Sequence, residues 1–403
     1  MKVIINGMAS IEQKTGVGHY IDRVSREIAA SEPQGHVRLF PGDLMRPLAS
    51  RLAPRSRKLA ASTGEAGPAG FNLRATLARM VKQSGRAAAQ AYFTAYTKAQ
   101  RFDLYHEPNY IPFRSSLPTV VTAHDLSVLL HPEWHPAERV AIHREKFQKA
   151  VENARHVITG SEQVRRELLS TIPVKPENVT AVYYGIGEEF RPLPRDVVAE
   201  ARQRLGLPER FLLYVGAVEP RKNLLVALKA FVDLPASLRE RCPLVLAGPW
   251  AWKAADVAEF FKERAIPAGA KHLGYVTDAD RIALYNAASA LIYPSRYEGF
   301  GLPPVEMLAC GGGVLAGNAK AVVEVLGKHG HFIDPDDIVG WRDAMAAVAT
   351  DDDFLADSRR NGIAHARRFT WERTARETKR VYEIAMGMPV SPSPAAMSQR
   401  AAA

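Results

Sequence analysis

The chain has 403 residues, 47% hydrophobic and 24% charged, which is enough for a large core and too long for one ordinary domain, so two domains are expected. Lys and Arg outnumber Asp and Glu by 53 to 43, a formal charge of +10, and that excess calls for an anionic partner or a solvated basic face. Cys242 and Cys310, the only cysteines, fit neither a zinc spacing nor a disulfide framework, so they read as buried thiols of a reducing compartment.

Met1-Lys2-Val3-Ile4-Ile5-Asn6 opens the chain with an apolar run too short for a signal peptide, and no later run approaches the roughly 20 apolar residues of a membrane span. A cytoplasmic protein is expected, at most peripheral on the inner face of the cell membrane. Lys2 to Asn6 reads as a buried strand and His19 to Ala30 as a helix, with Ile21, Val24 and Ile28 at helical spacing. Between them Thr15-Gly16-Val17-Gly18-His19 reads as a glycine loop. It lacks GxGxxG and a well-placed acidic residue, which weakens a dinucleotide site; an acceptor or a phosphate could approach Gly16, Val17 and Gly18. From Arg46 to Arg101 the cations Arg51, Arg55, Arg57, Lys58, Arg74, Arg79, Lys82, Arg86 and Lys98 face one acid, Glu65, with Phe71, Leu77, Tyr92 and Phe93 interspersed. Such a stretch reads either as an anionic membrane contact or as a solvated face; nucleic acid comes third, since no binding motif accompanies it. Ser50 to Gly70, rich in Pro, Gly, Ala and Ser, reads as a mobile loop.

Strands are expected at Leu104 to His106, Thr119 to Ala123, His156 to Thr159 and Val179 to Tyr183, with helices between, a pattern that implies a parallel sheet. Gly185 to Asp196, with Pro192 and Pro194, reads as an interdomain linker. The pattern then restarts with strands at Phe211 to Val215, Pro243 to Ala247, Lys271 to Gly274 and Ala290 to Tyr293, and a helix at Leu224 to Phe231. Two doubly wound halves are expected, with ligand beyond the carboxyl ends of their strands. The tail from Pro389 reads as unstructured.

Four segments carry chemistry. Tyr297 to Gly313, YEGFGLPPVEMLACGGG, follows a strand and turn; its glycines admit a ligand to the backbone, Pro303 and Pro304 suit a first helical turn, and a helix start offers amides to a diphosphate. Glu298 and Glu306 could accept hydrogen bonds from sugar hydroxyls. In Tyr214-Val-Gly-Ala-Val-Glu-Pro-Arg-Lys-Asn223 a strand runs into a glycine turn, then Arg221 and Lys222, which could neutralise a leaving group without a metal, then Asn223 as cap of the next helix. His124 and Asp125 lie just beyond the strand VTA, where this fold class places function. The Gly16–Gly18 loop is the fourth.

These segments, in this order, resemble the retaining glycosyltransferases of family four, which have the GT-B fold: two Rossmann-like doubly wound domains facing a central cleft. The resemblance runs from GVG through HEPNYIPF, TAHDL, ITGSEQVRREL, VEPRKN and LGYVTDADRIALY to YEGFGLPPVEMLACG and FTWERTA. It implies an N-terminal acceptor domain over 1–190, completed by a helix at 371–387, and a nucleotide-sugar donor domain over 191–370, with 388–403 a tail. It further implies that Glu306 holds the donor ribose, Glu298 the transferring hexose, Arg221 and Lys222 the diphosphate together with amides of Phe300, Gly301 and Leu302, and Tyr275 and Val276 the base. His124 and Glu298 would be the catalytic pair. No cofactor and no metal are implied, and no DxD motif is present. Two departures stand out. Ala217 replaces a frequent cation, which puts more weight on Arg221 and Lys222. Cys310-Gly-Gly-Gly-Val314 replaces CGxPV, and the extra glycine is expected to loosen that turn.

The forms VEPRKN, TGVGHY and HDL are similar to bacterial mannosyltransferases of exopolysaccharide and lipopolysaccharide assembly. They imply GDP-mannose as donor, with a UDP-sugar next, and a lipid-diphosphate-linked glycan as acceptor. With no evident protein nucleophile, a front-face retaining transfer is expected. The alternatives are a sugar-nucleotide epimerase, a phosphorylase, and a basic protein that binds anionic polymer or membrane without turnover.

Overall fold

The computed structural model describes residues 1–11, 16–42 and 73–389. The expected loop at 50–70, the tail beyond Pro389 and the cations Arg51, Arg55, Arg57 and Lys58 lie outside the described residues. Arg86 and Lys98 fall on the helix Leu73–Gln100 and are exposed. No helix among the described residues is long and apolar enough to cross a membrane.

Two six-stranded sheets organise the chain. The first has the order β2-β1-β3-β4-β5-β6, from Val3–Asn6 (β1), Val37–Phe40 (β2), Leu104–Glu107 (β3), Thr119–Ala123 (β4), His156–Thr159 (β5) and Val179–Ala181 (β6). The second has the order β12-β11-β10-β7-β8-β9, from Leu212–Val215 (β7), Leu244–Ala247 (β8), Lys271–His272 (β9), Ala290–Tyr293 (β10), Val314–Gly317 (β11) and His331–Ile333 (β12). The pairs β1·β3, β3·β4, β7·β8 and β7·β10 are all parallel. The strands LLYV, LVLA and ALIY are buried at every position, because helices cover both faces of a parallel sheet and leave no polar side. The order reverses between β7 and β10 in the second sheet, so the loops leaving those two strands part in opposite directions and open a crevice at their carboxyl ends.

By contact density the chain divides into two compact units. The smaller contains the described residues of Met1–Thr122, Asn153–Ile158 and Ala375–Ala403; the larger contains Ala123–Glu152 and Thr159–Thr374. In the smaller unit the C-terminal helix Trp371–Ala385 is fastened from residue 375 onward: Tyr382 OH meets His106 Nδ1 at 2.7 Å, Lys379 pairs with Glu32 and Arg155 Nε donates to the Ala385 carbonyl. His106 Nε2 also meets Thr122 Oγ1 at 2.8 Å, so buried polar atoms of β3, β4 and that helix satisfy one another. In the larger unit the core gathers around Trp341, Phe231, Tyr214 and Leu246.

Several expectations are corrected. The helix begins at Gly16, not His19, so Gly16, Val17 and Gly18 form its first turn and are not a loop. Lys271 to Gly274 shortens to β9, since Gly274 takes φ +72° and leaves the strand, and Val179 to Tyr183 shortens to β6. The stretch 185–196 is not bare: Phe190 is buried, Ile186 bridges to Thr370, and a helix starts at Arg195. The glycine run after Cys310 is tight, not loose. Gly311 ends its helix at φ +82°, and a Cβ at Gly312 or Gly313 would lie 2.2 Å from Met307 Cε or 2.5 Å from Leu355 Cδ1.

Candidate active site

The loop after β7 leaves through Gly216, whose carbonyl would be 2.0 Å from a Cβ at Gly248, so the backbones after β7 and β8 meet without side chains between them. It then makes a short helical turn, Pro220–Lys222, that presents Arg221 and Lys222. Asn223 closes the turn at φ +54° and precedes the helix Leu224–Val232, but its side chain does not cap that helix. The expected cap is corrected: left-handed backbone aims Asn223 Nδ2 away, at the Pro335 carbonyl, 2.6 Å off.

The loop after β10 is joined to this turn by Arg296 N–H donating to the Arg221 carbonyl at 2.9 Å. Glu298 then bridges both cations, with Oε2 2.6 Å from Arg221 Nη1 and Oε1 2.5 Å from Lys222 Nζ. Arg221 Nε also pairs with Glu219 at 2.8 Å, and Lys222 Nζ donates to Tyr293 OH at 3.0 Å. All four charged groups are buried to 17% exposure or less. Burial pushes the Glu298 carboxyl up, yet Arg221 and then Lys222 outweigh it and hold it at about 2. Burial, only partly offset by Glu298, lowers the Lys222 ammonium below its usual range. Arg221 lies well above its ordinary value despite burial, because Glu298, Glu219 and Asp125 surround it. Asp125 is held below the carboxylate range: burial opposes this, while Arg221 and two hydrogen bonds from Ser127 prevail.

Gly301 at φ +95° leads into the helix Leu302–Ala309, with Pro303 and Pro304 in its first turn as expected. Pro303 and Pro304 carry no N–H, so Phe300, Gly301 and Leu302 supply the backbone donors at the start of this helix. The Phe300 ring itself is buried against Tyr184 and Phe369, at centroid distances of 5.1 and 5.7 Å. On the same helix Glu306 is buried and accepts from Tyr285 OH at 2.8 Å, with Arg281 Nη2 at 3.7 Å. Burial raises its pKa, and Arg281 and Tyr285 offset only part of that. Tyr275, 53% exposed, precedes the helix Asp278–Ala287 that carries both Arg281 and Tyr285. Val276 stands beside it, half-buried.

His124 follows β4 directly and is 8% exposed, with Nδ1 2.7 Å from Tyr184 OH. A Cβ on Gly299 would fall 1.8 Å from the His124 carbonyl, so the residue next to Glu298 is seated on this loop. The structure thus brings His124, Asp125, Arg221, Lys222 and Glu298 into one neighbourhood, with Phe300–Leu302 and Glu306 continuing along the adjoining helix. Gly16 to Gly18 belong to the smaller unit.

Residues 15–190 match the family described as Glycosyltransferase Family 4, and residues 198–368 match Glycosyl transferases group 1. The chain is 29% identical over 380 residues to O-antigen chain mannosyltransferase B of Escherichia coli, covering 92% of this chain and 96% of that protein. It is 32% identical over 270 residues to the Serotype-specific mannosyltransferase WbdA of Escherichia coli, covering 64% of this chain but 32% of the longer relative. A crystal structure of Anabaena Alr3699/HepE in complex with UDP-glucose superposes with a TM-score of 0.70 at 17% identity, over 96% of this chain and 100% of that one. The chain belongs to the family 4 glycosyltransferases, enzymes of the GT-B fold with two Rossmann-like domains.

The sequence reading passed over Glu219, Arg281, Tyr285 and Tyr297. Arg281 and Tyr285 carried a usable signal, four residues apart on one helix face beside the TxxD start Thr277–Asp280, whose hydroxyl accepts from Asp280 N–H at 3.1 Å. Tyr297 gave none, since its partners Leu126 and Glu167 are distant in sequence; Glu219 pairs with Arg221 two residues on, and only its burial sets it apart from an ordinary loop acid.

Proposed function

We propose that the chain transfers mannose from GDP-mannose, with retention of configuration, to a hydroxyl of a lipid-linked glycan in bacterial surface polysaccharide assembly. The observation that carries the transferase chemistry is the buried Glu298 between Arg221 and Lys222, beside a helix start. Two fixed cations and the amides at a helix start suit a departing nucleoside diphosphate, whose charge grows as its bond to the sugar breaks. The two named mannosyltransferases among the relatives support mannose as the sugar and O-antigen assembly as the setting.

In this reading the acceptor oxygen attacks C1 on the face from which GDP departs. The bond from C1 to the acceptor oxygen forms as that from C1 to the phosphate oxygen breaks, and the acceptor proton passes to a phosphate oxygen. Arg221 and Lys222 hold the diphosphate, Glu306 the ribose, Tyr275 and Val276 the base, and Glu298 and His124 the sugar. No resident cofactor or metal is invoked.

Calorimetric titration with GDP, UDP, GDP-mannose and UDP-glucose tests the donor assignment. GDP and GDP-mannose should bind, and both Lys222→Ala and Glu306→Ala should weaken them, with turnover in Lys222→Ala falling on the order of 100-fold or more. Preferential binding of UDP and UDP-glucose would overturn the donor; binding unaffected by either substitution would overturn the site.

A further inference from the structure

The loop that carries Glu298 is bolted to the loop that carries His124 through groups that touch neither a sugar nor a phosphate in the reading above. The Tyr297 side chain, 8% exposed, turns away from Glu298. Its hydroxyl accepts from Leu126 N–H at 3.0 Å and donates to Glu167 Oε2 at 2.6 Å. Glu167 Oε1 is itself fixed by Gln163 Nε2 at 2.7 Å. The other end of Tyr297, its carbonyl, accepts from Arg221 Nη1 at 3.2 Å. One residue therefore spans from the His124-Asp125-Leu126 loop to the cation beside Glu298.

A second contact between the two loops is short and has no room to adjust. Gly299 rests on the His124 carbonyl, where any Cβ would collide, and its own carbonyl accepts from Ser161 Oγ at 2.8 Å. Ser161 also caps the helix Glu162–Thr171, which carries Glu167. Both fastenings, Ser161 to Gly299 and Glu167 to Tyr297, thus come from one helix. Backbone contact at Gly299 fixes how closely the loops approach; a hydrogen bond at Leu126 fixes their sliding and rotation, which a glycine contact leaves open. Burial keeps the phenol protonated far above neutral pH, so the hydroxyl remains a donor to Glu167 and an acceptor for Leu126 N–H.

We propose that the Tyr297 hydroxyl is a positioning group that sets His124 against Glu298 for the transfer step and contributes nothing to nucleotide binding. The inference rests on the transferase reading above. A misplacement of about 1 Å at a reacting centre costs on the order of 100-fold in rate, while the cations, Glu306 and the helix amides keep their places without this hydroxyl.

The test is Tyr297→Phe, which keeps the ring and deletes one oxygen. Transfer from the donor that the wild-type chain uses is measured as kcat per nucleotide-binding site, and GDP and UDP affinity by calorimetry. The expected result is a fall in kcat of about 10- to 100-fold with nucleotide affinity unchanged. Glu167→Leu should act in the same direction, while Glu167→Gln, which retains an acceptor, should keep kcat near wild type. Wild-type kcat in Tyr297→Phe overturns the proposal, as does a parallel loss of nucleotide affinity, which would make Tyr297 a support for Arg221. If the wild-type chain binds nucleotide but transfers nothing, the transferase reading itself falls, and the proposal with it.

Discussion

Glu298 is buried and ionised at once, and its two cations reconcile these in the folded chain. Its carboxylate is buried, which would ordinarily keep it neutral, yet Arg221 and Lys222 hold it ionised at about 2 against the usual 4.5. A carboxyl whose folded pKa is depressed stabilises the fold above its unfolded value and loses that contribution as pH falls through the folded one. Glu298→Gln should therefore be less stable than wild type at pH 7, by about 3 kcal/mol on the scale of 1.36 kcal/mol per unit. The gap should narrow below about pH 4.5 and close toward pH 2, because protonated Glu298 deprives the two cations of this carboxylate just as glutamine does. Urea denaturation of both proteins over a pH series measures it. A gap that is constant across that range would mean that Glu298 acts by shape and not by charge.

At the scale of elements, the turn from the helix Leu302–Ala309 into β11 shows how glycine can serve close packing. Gly313→Ala would set a methyl 2.5 Å from Leu355 Cδ1 and 2.7 Å from its Cβ, and overpacking of this kind costs about 1–3 kcal/mol. Gly85, in the helix Leu73–Gln100, has nothing within 4 Å of its would-be Cβ; Gly85→Ala should stabilise by about 0.5–1 kcal/mol through helix propensity. Thermal denaturation of the pair should move in opposite directions, and equal shifts would contradict the packing argument. The apolar runs of β7, β8 and β10 were plain in the sequence because each is buried on both faces. Three strands were missed. HFI in β12 is too short for any period, VRLF in β2 is exposed at its one charged position, and of VLAG in β11 only Val314 was read, as the end of a glycine motif. The separate motifs VEPRKN and YEGFG were legible too, but their pairing was not. Arg221 and Glu298 are 77 residues apart, and only the placement of β10 beside β7, out of sequence order, brings them together. Tyr297 was visible only as a letter of its motif, since its partners Leu126 and Glu167 come from more than a hundred residues earlier.

For the whole molecule, the proposed transfer places a nucleoside diphosphate at the cluster by the β7/β10 switch point of the second sheet while its sugar leaves. The chemistry then depends on which sugar is held and on which face of it the acceptor approaches. The most direct measurement supplies purified protein with GDP-mannose or UDP-glucose and a mannose-terminated lipid-linked glycan, and follows the product by NMR. GDP released in step with an α-linked mannose, the configuration carried by the donor, is the predicted result. Transfer from UDP-glucose alone, or a β-linked mannose, would contradict it.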